Sequence, residues 1–469
     1  MRINCGRLLF ILAWWLATAT FTPLRAATAS ATFTNPTPAA ADWFGSAVAA
    51  VGTNRVLIGT PNDDTGATDA GAAYLFSTNG ALVRTFTNPA PQSLAYFGMA
   101  LAALGADRVL IGSPGDSASG NSVGAAYLFS TNGTVLATFT NPAPVVGDFF
   151  GGAVAAVGTD KVLIAADAAD IGAGDAGVVY LFSTNGTRLV TYTNPTPASF
   201  DTFGYAVAAV GADKVLIGAN GDNTGASDAG AAYLFSTNGA LVRTFTNPAP
   251  VAFEAFGSAL AGVGADRVLI GAYGFSSYSG RAYLFSTNGT LQTIFTNPTP
   301  ANADAFGISV AAVGTDKVLI GASQDDTALN NAGAAYLFSL DGTLLATFVN
   351  PNPTPIEYFG YAVAGVGADK VLIGAYQNDT GATDAGTAYL FNVVLAAPRL
   401  NIERSTNGLL RLSWPLSASS FVLELTDHLV TPPATNTWTT APFARQTNAT
   451  QISVIVNPDL LQFFRLRGP

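Results

Sequence analysis

Seven Phe-Gly pairs recur along this chain of 469 residues. Their glycines are Gly45, Gly98, Gly151, Gly204, Gly257, Gly307 and Gly360, spaced 53, 53, 53, 53, 50 and 53 residues apart. A fixed period near 50 means that one structural unit is copied and that the copies bury their faces against one another. Each unit holds four short apolar runs. In the first unit they are "GSAVAAV" (45–51), "RVLIG" (55–59), "AAYLFS" (72–77) and "LVRTFT" (82–87). The runs are too short for helices, rich in Val, Ile and aromatic residues, and bounded by Gly, Asn, Asp and Pro, so they read as strands. "STNG" between the third and fourth runs signals a type I′ hairpin. "TNPxP" ends the fourth, because proline supplies no ladder donor. Four antiparallel strands per unit, repeated radially, make a propeller blade.

The ends of the array point to a closed ring. "TFTNP" or a close variant occurs seven times, and its first copy (32–36) precedes the first Phe-Gly unit. The last unit stops at "TAYLFNVV" (387–394) with no fourth run after it. Pairing the orphan "ATFTNPTP" (31–38) with that unit removes two open sheet edges. The expected fold is therefore all-β: a seven-bladed β-propeller closed by an N-terminal strand, spanning 30–396. In this arrangement each Phe fills the space between sheets, each Gly allows close backbone approach, and the Ala-rich first strands suit a crowded centre.

The string "FG…VLIG(A/T/S)P…GAAYLF" resembles the FG-GAP repeat of integrin α-subunit propellers and related bacterial secreted proteins. Phe44-Gly45 with Pro61 and Phe97-Gly98 with Pro114 are the nearest copies, and the resemblance covers roughly 31–394. It implies a seven-bladed propeller used for extracellular adhesion or ligand binding. Many members of that family carry a calcium loop between the first two strands of a blade. Here that turn is only "GADK" or "GTDK" (211–214, 158–161). One carboxylate cannot supply the six to eight oxygens calcium prefers. The most the chain offers calcium is weak binding by the longer acidic loops, through residues such as Asp63, Asp64 and Asp69.

The remaining segments are unlike the repeats. Residues 1–29 run from basic (Arg2, Arg7) through an apolar stretch (8–21) to "ATA" at 27–29, the order of a secretory signal peptide. A short N-terminal membrane anchor is the alternative. The signal implies a secreted or cell-surface protein with no membrane span in the mature chain. The only cysteine, Cys5, lies within that segment, so the mature chain has no disulfide. Residues 397–469 read "LLRLSWP", "SFVLEL", "TWTTAP", "QISVIV" and "FFRLR" between turn-rich stretches. They suggest a small β-sandwich-like module.

Few chemistries fit this composition. The net charge is −10, and no Lys/Arg run exists that would bind nucleic acid. The single histidine, His428, lies outside the repeats and excludes histidine-based metal sites by count. "GAGDAG" (172–177) matches a phosphate-loop pattern but joins two strands instead of opening a helix. "DTG" at Asp64 and Asp379 falls in equivalent loops of different blades, about 10 Å or more apart by sheet packing, too far to share a proton.

Charge is the better guide to a working surface. An acid stands two residues before the Phe in six of seven units: Asp42, Asp148, Asp201, Glu254, Asp304 and Glu357. These interblade links emerge on the same face as the loops between second and third strands, which are also acidic. The opposite face carries Arg55, Arg108, Lys161, Lys214, Arg267, Lys317 and Lys370. The ring is thus expected to be electrically two-sided, with a partner on the acidic, variable face. Solubility and Asx-turn chemistry explain the same acids without a partner. The fifth loop, "YGFSSYSG" (273–280), is aromatic instead of acidic. The candidate contact residues are therefore Tyr273, Phe275, Tyr278, Asp148 and Asp201. No residue is assigned a catalytic role. The expected function is a non-enzymatic scaffold for adhesion or for an extracellular protein or glycan ligand. A carboxylate-dependent hydrolase or lyase, and a structural matrix protein, are the alternatives.

Overall fold

The computed structural model describes residues 28–116, 122–274, 279–393, 401–404, 409–415, 422–426, 439–440, 445–447, 451–456 and 463–467. Residues 1–27, Phe275, Tyr278 and His428 lie outside them. The described residues form no helix. They make repeated four-stranded antiparallel sheets in a propeller-like, all-β fold.

Within the repeat region six sheets take their four strands in chain order. The first holds Ala47–Val51, Arg55–Thr60, Ala72–Ser77 and Leu82–Thr87. Five more follow this plan. A seventh sheet takes Ala362–Val366, Lys370–Ala375 and Thr387–Asn392 from its own unit and Ala29–Thr34 from the other end of the chain. Thr32 faces Tyr389 and Thr34 faces Thr387 in that antiparallel pairing. C-terminal to the repeats, Asn401–Arg404, Leu410–Pro415, Gln451–Val456 and Gln446–Thr447 form one further sheet. Thr439–Thr440, Val422–Thr426 and Phe463–Arg467 form another.

The core lies between sheets. The second strands, such as "RVLIGT", are buried on both faces and so are apolar throughout. One cluster joins Leu57, Leu75 and Phe86 of the first sheet to Val109, Ile111 and Phe129 of the second. Another joins Phe33, Leu372 and Leu390 of the last sheet to Val56, Ile58 and Phe76 of the first. An aromatic on each outer strand meets the third-strand Phe of the next sheet. The pairs Phe33–Phe76, Phe86–Phe129, Phe139–Phe182, Tyr192–Phe235, Phe245–Phe285, Phe295–Phe338 and Phe348–Phe391 have centroids 5.1 to 5.3 Å apart. Such tilted contacts add to area burial. The repeat Phe residues are completely buried, as at Phe44 and Phe97. The Gly after them is forced by contact: at Gly98, φ is +96° and a Cβ would sit 2.4 Å from the Ala72 carbonyl oxygen.

Each link also pairs with the loop of the unit before it. The amides of Leu94 and Phe97 donate to the carbonyls of Thr68 and Ala70 at 2.9 and 3.0 Å. The first link uses the last unit: Ala41 and Phe44 donate to Thr383 and Ala385, both at 2.9 Å. These bonds hold bulky residues in the left-handed region, including Trp43 (φ 61°), Tyr96 (53°), Phe149 (56°), Phe200 (68°) and Ile356 (63°). Side chains other than Gly or Asn rarely adopt that conformation without such support.

Candidate functional site: an axial cavity

The acids expected on an exposed face are not there. Asp148 is only 2% exposed and Asp201 only 1%. Each accepts from the Asn of the preceding "TNP" and from a link amide: Asp148 from Asn141 (2.6 Å) and Val145 (2.8 Å), Asp201 from Asn194 (2.7 Å) and Ala198 (2.7 Å). Asp42, Asp304 and Glu254 make the same latch with Asn35, Asn297 and Asn247. The second unit has Ala95 at this position, and its Asn88 turns to Asp116 instead. The link acids are thus internal hydrogen-bond acceptors, unavailable to a surface partner. Burial pushes the carboxyls of Asp42, Asp201 and Asp304 up to about 6, and drives Asp148 in the same direction.

Nor is a calcium site assembled. Asp63 is buried, accepting from the Tyr74 hydroxyl (2.8 Å) and the Thr65 amide (2.9 Å). Asp64 closes its own loop by accepting from the Asp69 amide at 2.9 Å. Burial, then the Asp64 charge, raises the Asp69 carboxyl. Among the described residues no three His, Cys, Asp or Glu side chains cluster to hold a metal. The opposite face is not basic either. Six of its seven cations are paired with the Asp preceding them, from Asp316–Lys317 at 2.7 Å to Asp107–Arg108 at 3.7 Å. The two-sided charge pattern is therefore cancelled on one face and buried in much of the other.

What the ring does enclose is a cavity of about 680 Å³. The residue following each repeat Gly lines it: Ser46, Met99, Gly152, Tyr205, Ser258, Ile308 and Tyr361. A wall with a member from every sheet can lie only at the axis. Two further columns reach it. Trp43, Tyr96 and Phe149 come from the position before the repeat Phe, and Pro61, Pro114, Asp167 and Tyr376 from the end of the second strands. Inner strands start and second strands end on the link face, so the cavity lies at that end. Tyr273, the described member of the aromatic fifth loop, occupies the Tyr376 position of its sheet and shares a hydrogen bond with Tyr205.

One side of the cavity is aromatic. Tyr376 meets Tyr361 at 4.5 Å and Trp43 at 5.7 Å between centroids, and stacks on Tyr358 at 5.5 Å. Three polar atoms on the wall, Ser46 Oγ, Asn62 Oδ1 and Ser258 Oγ, have no hydrogen-bond partner among the described residues. Asp167 fits in the space left by Gly152, where a Cβ would lie 3.3 Å from its Oδ1. It is half-buried at the cavity wall, and burial pushes its carboxyl up to about 6, with a contribution from Asp175. Burial also raises Tyr205, with Tyr273, Tyr361 and Asp167 adding to the shift. The links also expose apolar side chains, among them Val146 (70%) and Phe200 (66%).

Sequence reasoning missed this axial set. Its signal was variation inside the repeat. The positions flanking Phe-Gly read Trp, Tyr, Phe, Thr, Ala, Ala, Tyr before it and Ser, Met, Gly, Tyr, Ser, Ile, Tyr after it. Everything around them barely changes.

Repeated four-stranded sheets joined side to side define an all-β, propeller-like repeat protein. The FG-GAP repeat family matches residues 28–76, 193–235, 290–338 and 346–391, so the chain carries FG-GAP repeats in these four regions. No curated protein matches the chain. Among solved structures, the C-terminal WD40 domain of Sif2 is 14% identical, with 73% of this chain and 80% of that one covered and a TM-score of 0.42. The WD40 β-propeller domain of Doa1 is 12% identical, with 78% and 97% covered and a TM-score of 0.48.

Proposed function

We propose that this is a secreted or cell-surface, non-enzymatic binding scaffold whose ligand enters the axial cavity from the link face. In this reading residues 1–29 are a signal peptide, 30–396 a closed seven-bladed propeller and 397–469 a small β module. The observation that carries it is the cavity wall, where all seven repeats contribute and their side chains differ. Concave, largely apolar pockets with a few convergent polar groups are the usual form of a ligand site. The test is a screen of extracellular proteins and glycans against the mature chain and a Trp43→Ala/Tyr361→Ala variant. A ligand held by the parent and lost by the variant, at unchanged melting temperature, supports the site. Ligands bound equally by both would move the function elsewhere on the molecule.

A carboxylate-dependent hydrolase is the second reading. Its support is Asp167, a carboxyl shifted to about 6 within a cavity, as general acids are. Turnover of glycosides or esters abolished by Asp167→Asn would favour it over the scaffold.

A further inference from the structure

We propose that the axial cavity binds an organic ammonium group, seated against the rings of Trp43, Tyr361 and Tyr376 with the Asp167 carboxylate as its counter-ion. The inference rests on the cavity being the binding site and names the chemistry it accepts. Among the described residues its wall carries two carboxylates, Asp69 and Asp167, and no Lys, Arg or His. An anion would find only repulsion there. No ion pair among the described residues reaches Asp167, and the six Lys/Arg–Asp pairs lie on the opposite face. A half-buried carboxylate with no cation partner is costly, and a cationic ligand reduces that cost.

The wall also selects the kind of cation. A hard divalent ion needs six to eight oxygens, and no cluster of three metal-binding side chains exists among the described residues. An alkylated ammonium group is weakly hydrated and is held by aromatic faces. The rings form a corner suited to a rounded group: Tyr361 is tilted 54° and Trp43 80° to Tyr376. Tyr358 stacks behind Tyr376 at an interplanar angle of 13° and fixes that corner. The cavity is larger than one ammonium group, so it holds the carrier as well. The unpartnered Ser258 hydroxyl, 7% exposed, supplies a polar contact for that carrier.

The experiment titrates the full chain with choline and with its uncharged isostere 3,3-dimethylbutan-1-ol, by calorimetry and tryptophan fluorescence. Choline should bind saturably, and the isostere about tenfold more weakly or worse. Asp167→Asn and Tyr361→Leu should each weaken choline about tenfold while the melting temperature holds. Phosphatidylcholine vesicles separate two sources of the group: choline-competed sedimentation assigns a lipid headgroup, and its absence alongside choline binding assigns a free cation. Equal affinity for choline and the isostere, or no choline binding up to tens of millimolar, overturns the proposal. Maltotriose binding that Trp43→Ala abolishes, with no choline binding, overturns the ammonium assignment and leaves the cavity as the site. Choline binding indifferent to both Trp43→Ala and Asp167→Asn overturns both.

Discussion

The seams between sheets and the axis they surround obey opposite rules. At every seam an aromatic pair, Phe–Phe at six and Tyr192–Phe235 at one, recurs within 0.2 Å in centroid distance, from 5.1 to 5.3 Å. At the axis the equivalent position is Ser, Met, Gly, Tyr, Ser, Ile and Tyr in turn. A seam must satisfy its neighbour, and any misfit accumulates around the ring. An axial side chain borders space shared by all units and answers to local partners, as Tyr361 does to Tyr376, and not to a contact repeated around the ring. Repetition is thus needed where sheets touch, and a site of low symmetry can be written where they do not.

The largest break in that contrast is at the seam made by the two chain ends. Removing Ala29–Thr34 should lower the Tm by far more than any single substitution, because it strips a strand, Phe33 and the pairing with Thr387–Asn392. Thermal melts of the truncated chain check this, and an unchanged Tm would contradict a closed ring. Next come Phe86→Ala and Phe295→Ala. Each should cost about 3–5 kcal/mol, and the two costs should agree because the seams are alike. Urea unfolding measures both, and a large disagreement would show that the seams are not equivalent.

Acidity gives a smaller effect with a defined sign. Asp42, Asp201 and Asp304 titrate near 6 in the fold, against 3.8 ordinarily. The folded state therefore binds protons more tightly than the unfolded one. This stabilisation is complete below about pH 3.8 and is lost as pH rises through 6. Calorimetry should show Tm falling between pH 4 and 7, with a shallower slope for Asp304→Asn. A Tm that climbs over that range would reverse the argument. The smallest effect belongs to the axis. Met99, 51% exposed, should accept Ala with a stability change within about 0.5 kcal/mol. A loss comparable to that at Phe86 would erase the distinction between seam and axis.

The architecture was legible because its determinants are periodic. Strand-length runs, Asn-Gly turns and the orphan "TFTNP" recur at constant phase, and the pairing of 29–34 with 387–392 follows from that count. The acids misled because charge was read without partners. Asn141 and Asp148 stand seven residues apart, as do Asn194 and Asp201, and this fixed spacing already encodes a latch. Likewise each Lys or Arg after "GAD" or "GTD" arrives with its own neutralising neighbour. The axial site was illegible for a different reason. Its members are one residue per unit, about 53 positions apart, and only closure brings them together.

The strand that completes the last sheet carries a cost in time. Its hydroxyl contact from Ser30 to the Leu390 carbonyl joins residues 360 apart in sequence. Every other outer strand finds its partner a short hairpin away, so those sheets assemble as local events. The closing strand precedes every other strand of the repeats in the chain, and its partner, Thr387–Asn392, follows them all. It must wait, unpaired, while all the intervening chain emerges and folds. During that interval the ring is an arc with two sticky ends, competent to recruit a second arc as readily as to bite its own tail. Dilution should favour the monomer at this step, and crowding should favour chains joined end to end.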